Sequence, residues 1–290
     1  MIFKNLTKIV LIFLIISCTT KSTDLSLNQT YKDKFTKFGN RKSAIFVHGL
    51  NQKPNKLESI MRVFYDLGYD CYLVHLKGHG KNYIKIKYFT KQDSRMESFK
   101  NAKFEDWTED FHKTYSKVNT KYDENIIFGY SLGAVVALNY INEYKLKDID
   151  KIFLIAPAIA IHTRSYIFKL LSFAPSIVIP SLAPINYRSN DGTPVQAYMS
   201  LYEGIDKFEI TNTDYLNIKT TLIVNKDDEL VSYDKIKNLV QDKKLNKWNI
   251  ITIKKDNVVD DLNYQHLIID KPTLGDKSWS EMKNIIKESF

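Results

Sequence analysis

Ile126-Ile127-Phe128-Gly129-Tyr130-Ser131-Leu132-Gly133-Ala134 changes character at its middle. The branched and aromatic residues that open it suit a buried strand. Gly129 to Gly133 is a G-x-S-x-G pentapeptide, and Ala134-Val135-Val136-Ala137-Leu138 then begins a helix that is apolar on more than one side. Strand, sharp turn and helix in this order put the serine on a strained bend, flanked by glycines that let backbones pass closely. The helix N-terminus just behind the serine offers free N–H groups to a developing negative charge. A bare pentapeptide arises by chance and can be a tight turn with an inert serine. The strand before it and the helix after it make Ser131 a candidate nucleophile.

Outward from this stretch, the chain alternates strands and helices. Ser43 to Val47 reads as a buried strand ending at His48-Gly49-Leu50. A helix follows, with Asn55 as cap, Glu58 at its third position, and Leu57, Ile60, Met61, Phe64 and Leu67 on one face. Tyr69 to Leu76 is the next strand and runs into Gly78-His79-Gly80. This rhythm predicts a parallel sheet. Lys81 to Lys103 reads as a long irregular segment, and Phe104 to Val118 as a helix striped by Trp107, Phe111, Tyr115 and Val118. Lys151 to Ala156 is a further strand. The alternation then breaks from about 158 to 217, which reads as an inserted helical cap. Thr193-Pro194 serves there as N-cap and first turn of a helix reaching about Lys207. Thr220 to Val224 and Trp248 to Ile253 complete the strands, and Ser278-x-x-Glu281 opens the last helix.

A serine hydroxyl needs a base, and the base is usually a histidine oriented by a carboxylate. Asp228 follows one late strand and His266 the last, in the order Ser, Asp, His. Asp227 is the rival acid. Together the motifs resemble those of α/β-hydrolases. His48-Gly49-Leu50 is similar to the family's HG turn. Gly78-His79-Gly80 is similar to the G-H-G of its lysophospholipase and monoacylglycerol-lipase branch. Asp228-Glu229-Leu230-Val231 is similar to its D-x-x-V acid turn, and His266 to Asp270 to its H-x-x-x-D base segment. The resemblance covers about 43 to 290. It implies an α/β-hydrolase fold, a mostly parallel central sheet flanked by helices with the cap inserted. It implies Ser131 as nucleophile, Asp228 as acid, His266 as base, and the backbone N–H groups of Leu50 and Leu132 as oxyanion donors. Asn225 departs from the glycine usual ahead of the acid. His48 and His79 read as structural, bonding backbone near the site, and His75, His112 and His162 fall at no motif position.

The implied activity is hydrolysis of carboxylic esters, lipid-like in character, with no metal or cofactor. Peptidase, thioesterase or amidase chemistry on the same fold, and a non-catalytic binding protein, are the alternatives. The apolar cap residues have two readings: they form the cap's own core, or Phe168, Leu171 and Phe173 line an acyl pocket.

The N-terminus reads as an export signal. Lys4 and Lys8 precede the apolar run Ile9 to Ile16, and Ile15-Ile16-Ser17-Cys18 resembles a bacterial lipobox. This gives residues 1–17 as signal peptide, lipidation at Cys18, residues 18–30 as tether and 31–290 as the hydrolase domain, held at the membrane of a bacterial cell envelope. With Cys18 modified, Cys71 has no disulfide partner, and the fold must stand on its core. The net charge of +9 comes from scattered lysines with no Arg-rich stripe. That pattern argues against a nucleic-acid partner and for solubility or attraction to anionic headgroups.

Overall fold

The computed structural model describes residues 33–37, 39–210, 213–257 and 264–290. The expected signal peptide and tether, with Cys18, lie outside the described residues. A two-residue strand β1 (Lys34–Phe35) precedes β2 (Lys42–Val47). A 3-10 turn over Pro54–Leu57 leads into helix α1 (Glu58–Asp66), and β3 (Tyr69–Val74) follows. Next come α2 (Lys91–Lys100), α3 (Phe104–Val118), β4 (Glu124–Tyr130), α4 (Leu132–Glu143) and β5 (Lys151–Ile155). The insertion holds a 3-10 stretch over Thr163–Leu171, strands β6 (Val178–Pro180) and β7 (Gly192–Pro194), and helix α5 (Val195–Ile210). The chain then returns to the sheet through β8 (Lys219–Val224), α6 (Tyr233–Asp242) and β9 (Trp248–Thr252), and ends in α7 (Lys271–Leu274) and α8 (Asp276–Glu288).

The seven-stranded sheet has the order β1-β3-β2-β4-β5-β8-β9, and β1 alone runs antiparallel. Side chains alternate between its faces. In register, Phe46, Phe128 and Phe153 point to one face and stack, 4.8 Å and 5.9 Å between neighbouring centroids. Phe64 of α1 meets all three edge-on, and Phe290 closes over Phe64 at 5.2 Å. Ile45, Val47, Ile127, Ile152 and Leu154 supply the opposite face and join the cluster formed by α3 and α4. Helix α4 is buried through Asn142, which explains its lack of a polar face. Parallel strands covered on both faces need such continuous apolar runs.

Four local expectations are corrected. The segment Lys81–Lys103 contains helix α2, capped by Thr90, whose side chain accepts the Asp93 N–H. Its buried residues are Ser94, Ser98 and Phe99, and the serine hydroxyls accept the Ile86 and Ile84 amides, so no apolar period marks it. Asn55 does not cap α1, because Pro54 starts a 3-10 turn that places Asn55 inside the structure. Thr193-Pro194 belongs to β7, paired with Ile179 and Val178, and α5 begins only at Val195. Helix α8 starts at Asp276, and the carboxylate of Asp256 supplies the cap expected of Ser278 by accepting the Lys277 and Ser278 amides. The described residues of the insertion are therefore less helical than expected, with one α-helix beside two 3-10 segments, the second over Asp214–Leu216, and a two-stranded sheet.

Candidate active site

Residues at the C-terminal ends of β2, β4, β8 and β9 converge on Ser131. The bend after β4 is strained, with Ser131 at φ +51° and ψ −116°, a conformation that a non-glycine residue holds only under external constraint. The constraints are visible. The Ser131 N–H donates to Ile155 C=O at 3.1 Å, and its C=O accepts from Ala158 N–H at 3.2 Å and Ala134 N–H at 3.1 Å. The two glycines are required by close approach: a Cβ on Gly129 would sit 2.6 Å from Ala134 Cα, and one on Gly133 2.1 Å from Val47 O. Gly133 thus lets α4 press against the end of β2, where the HG turn begins.

Ser131 Oγ lies 2.9 Å from His266 Nε2, and His266 Nδ1 lies 2.8 Å from Asp228 Oδ2. All three are buried. The network orients the imidazole with its proton on Nδ1, leaving Nε2 to accept the serine proton. Asp228 is itself fixed, since its Oδ1 accepts the Leu230 and Val231 amides, each at 2.8 Å. Those two bonds are the physical content of the D-x-x-V turn. Asp227 is exposed, and its amide donates to Asn225 Oδ1, so the structure brings Asp228 rather than Asp227 to His266. Burial works to lower the His266 pKa, but the charge and hydrogen bond of Asp228 and the charge of Glu229 outweigh it, against Lys255, and the net shift is upward.

The HG turn lies against the nucleophile: a Cβ on Gly49 would come within 3.3 Å of Ser131 Cβ. Leu50 follows on that turn. Leu132 is the first residue of α4, where amides have no intrahelical acceptor. His48 and His79 hold the turn from behind. His48 Nε2 accepts the Leu76 amide and its Nδ1–H donates to Gly49 C=O; His79 Nε2 accepts the Asn51 amide at 2.8 Å. Both rings are neutral, because burial lowers each pKa, that of His79 to about 4.

Several contacts at the site carry no motif. Glu229 accepts the His266 N–H at 3.2 Å, Tyr130 donates its hydroxyl proton to His266 C=O at 3.2 Å, and His162 Nε2 bonds Asp228 C=O at 3.0 Å. Asn225, the departure from glycine, donates to Gln265 beside the base at 2.8 Å. Tyr130 is the first variable position of the pentapeptide, and its aromatic character is the signal that the sequence offered for it. The proposed acyl-pocket residues have separate surroundings. Phe168 stacks on Tyr198 at 4.3 Å, Leu171 is half-buried, and Phe173 is 82% exposed.

Comparison with known proteins bears on the family and the fold. Residues 39–203 match the family model described as serine aminopeptidase, S33. No curated protein matches the sequence at a significant level. Among solved structures, the chain is similar to a monoacylglycerol lipase from Paleococcus ferrophilus, at 15% identity over 88% of this chain and 95% of that one, with a TM-score of 0.65. A soluble variant of monoglyceride lipase from Saccharomyces cerevisiae, in complex with a substrate analogue, gives 16% identity over 86% of each chain and a TM-score of 0.62. A structure from work on two metagenome-derived lipolytic enzymes, LipS and LipT, gives 16% identity over 77% of this chain and 87% of that one, with a TM-score of 0.63. At such identities the likeness is one of fold. Because the family match spans more than half of the sequence and includes Ser131, the chain belongs to the serine aminopeptidase S33 family of α/β-hydrolases.

Proposed function

We propose that the protein is a serine hydrolase that cleaves carboxylic esters, lipid-like in character, through an acyl-enzyme on Ser131. The observation that carries this reading is the unbroken, buried chain of hydrogen bonds from Ser131 Oγ through His266 to Asp228. As Oγ bonds to the acyl carbon, His266 Nε2 takes its proton and the carbonyl electrons move to oxygen. The Leu50 and Leu132 N–H groups donate to that oxyanion, each worth about 3–4 kcal/mol in the transition state. Collapse expels the alkoxide, which leaves with the proton from Nε2. Water then repeats the sequence on the acyl-enzyme and frees the acid. The group reacts only while His266 is neutral, so activity rises with pH through its raised pKa.

The fold shared with lipases named for monoacylglycerols favours an ester over an amide. The family description favours a peptidase, and that is the second reading. One experiment separates them: fluorophosphonate labelling of wild type and Ser131→Ala, followed by rates on p-nitrophenyl esters and aminoacyl anilides. The expected result is labelling that depends on Ser131, and ester turnover well above anilide turnover. Labelling of Ser131→Ala defeats the nucleophile assignment. Faster anilide cleavage moves the protein to the peptidases.

The Cys18 lipidation site extends the proposal to location, a bacterial envelope membrane in which such esters reside. The basic residues Lys4 and Lys8, the apolar run and the cysteine support it. The other cysteine, Cys71, is buried with its thiol donating to Met61 C=O, and does not compete for modification. Mass spectrometry of the mature N-terminus tests the point; an unmodified Cys18 overturns it.

A further inference from the structure

The limb of the cap that returns toward the sheet, residues 187–192, runs beside the turn that carries Leu50. Lys53 N–H donates to Tyr187 C=O at 2.7 Å, Ser189 N–H to Asn51 C=O at 2.8 Å, and Gln52 pairs with Arg188 as an antiparallel bridge. The Ser189 hydroxyl donates to Gln52 C=O at 2.7 Å. Two buried asparagines then join the segments side chain to backbone. Asn51 Oδ1 accepts the Asn190 N–H at 2.8 Å, and Asn51 Nδ2 donates to Asn190 C=O at 3.0 Å and Gly192 C=O at 3.3 Å. Asn190 in turn donates from Nδ2 to Gly78 C=O at 3.0 Å, and its Oδ1 accepts Arg95 Nε–H at 3.1 Å. Asn51 holds φ +53°, so the turn reverses immediately after the oxyanion donor. The same limb reaches the base segment. The Tyr187 hydroxyl donates to the Asp270 carboxylate at 3.0 Å, and Asp270 caps the short helix α7 just beyond His266.

Apolar side chains would hold two segments together without the desolvation cost of two buried side-chain amides. What directional bonds add is position. We propose that Asn190 is a positioning residue for the Leu50 N–H: the returning limb of the cap, together with the sheet, sets where that donor points. The proposal rests on the hydrolase reading of Ser131. It divides the cap into a limb that is part of the reaction frame and an outer part, residues 163–185, that is not.

The test uses the full chain with Asn190→Ala and with Asn51→Gly; glycine accepts the positive φ without steric strain, so the second variant removes the side-chain ties and keeps the turn geometry accessible. Leu170→Ala, on the outer part of the cap, is the control. Rates on p-nitrophenyl butyrate are taken per titrated active site, and amide hydrogen exchange is followed over residues 49–53. Both asparagine variants are expected to lose about tenfold or more in kcat, with KM within about threefold. The acid limb of the pH profile should stay in place, because Ser131, His266 and Asp228 are untouched. Exchange over 49–53 should quicken while β2 and β4 stay protected. A kcat within about twofold of wild type in the folded variants overturns the proposal, as does a loss seen in KM instead. If Asn190→Ala does not fold, Asn190→Ser, which keeps a small polar side chain too short for the Gly78 and Arg95 bonds, takes its place beside Asn51→Gly. Quickened exchange in a protein whose wild type hydrolyses nothing supports the tie and defeats the hydrolase reading; unchanged exchange defeats the tie whatever the activity.

Discussion

The base segment and the outer part of the cap are built by opposite rules. His266 is held at Nδ1, at Nε2, at its N–H and at its C=O, each by a different residue. Both oxygens of Asp228 are in use. In the cap, the 3-10 stretch Thr163–Leu171 has no fully buried residue. Side chains three apart eclipse in that geometry. Ile167 and Leu170 accordingly stand in line in solvent, Leu170 being 72% exposed, and Phe173 in the turn that follows extends this apolar row. Directional bonds fix a geometry to tenths of an ångström, whereas nondirectional contacts fix only proximity. The region that breaks bonds is overdetermined, and the region beside it leaves its side chains free to change without disturbing the reaction frame.

The sharpest way to break this contrast is at the acid. Asp228→Asn keeps an oxygen for the Leu230 and Val231 amides but turns an N–H toward His266 Nδ1, forcing the wrong tautomer. It should lower kcat/KM about 10²–10⁴-fold at constant fold, while Asp227→Asn stays within about twofold. Equal losses in the two would mean that the frame does not discriminate between adjacent carboxylates. A smaller effect is expected at Glu229, which contributes one hydrogen bond to the His266 backbone and one negative charge near its ring. Among the described residues, Asp228, Glu229 and Lys255 are the charges that act on that ring. A negative neighbour favours the imidazolium and raises the pKa, so its removal lowers it. Glu229→Gln keeps an acceptor for the amide and should move the acid limb of kcat/KM to lower pH, leaving the plateau within about threefold. An unmoved limb, or one that moves up, would show that the Glu229 charge does not set the pKa of the base. The smallest effects belong to the cap. Phe173→Ser should change stability by no more than about 0.5 kcal/mol, whereas Phe168→Ala loses the stack on Tyr198 and should cost about 1–2 kcal/mol. Thermal unfolding reads both, at about 2–4 °C per kcal/mol in a domain of this size. A large loss at Phe173 would give the outer row a packing role and erase the contrast.

The same contrast decides what could be read from sequence. The pentapeptide, the HG turn and the D-x-x-V turn are local: Asp228 Oδ1 bonds amides two and three residues on, so its spacing to Val231 is visible in the chain. The six parallel strands were legible because both faces of the sheet are covered and their runs are largely apolar, whereas the short β1, β6 and β7 carry no such run. Helix α2 was not, because serines with hydroxyls committed to backbone amides occupy its buried face. Glu229 with His266, and Asn51 with Asn190, are contacts between loops 37 and 139 residues apart, and no periodicity encodes them. The apolar run of the cap showed how much hydrophobic surface was present and nothing about which side it faced. Phe173 therefore looked equivalent to Phe168.

The parallel order of the sheet also bears on when the site comes into being. Ser131 and His266 are 135 residues apart, and the pair closes only after β8 and β9 have docked beside β5. Such non-local pairings repay the entropy of loop closure late, which makes parallel sheets slow to fold. The strained serine is in the same position, since the Ile155 carbonyl that holds its amide belongs to a strand made after it. During synthesis the nucleophile therefore emerges well before its base, its acid and the Asn190 limb that grips the Leu50 turn. A growing chain carries Ser131 as an ordinary hydroxyl, and the reactive arrangement forms in one of the last steps of folding.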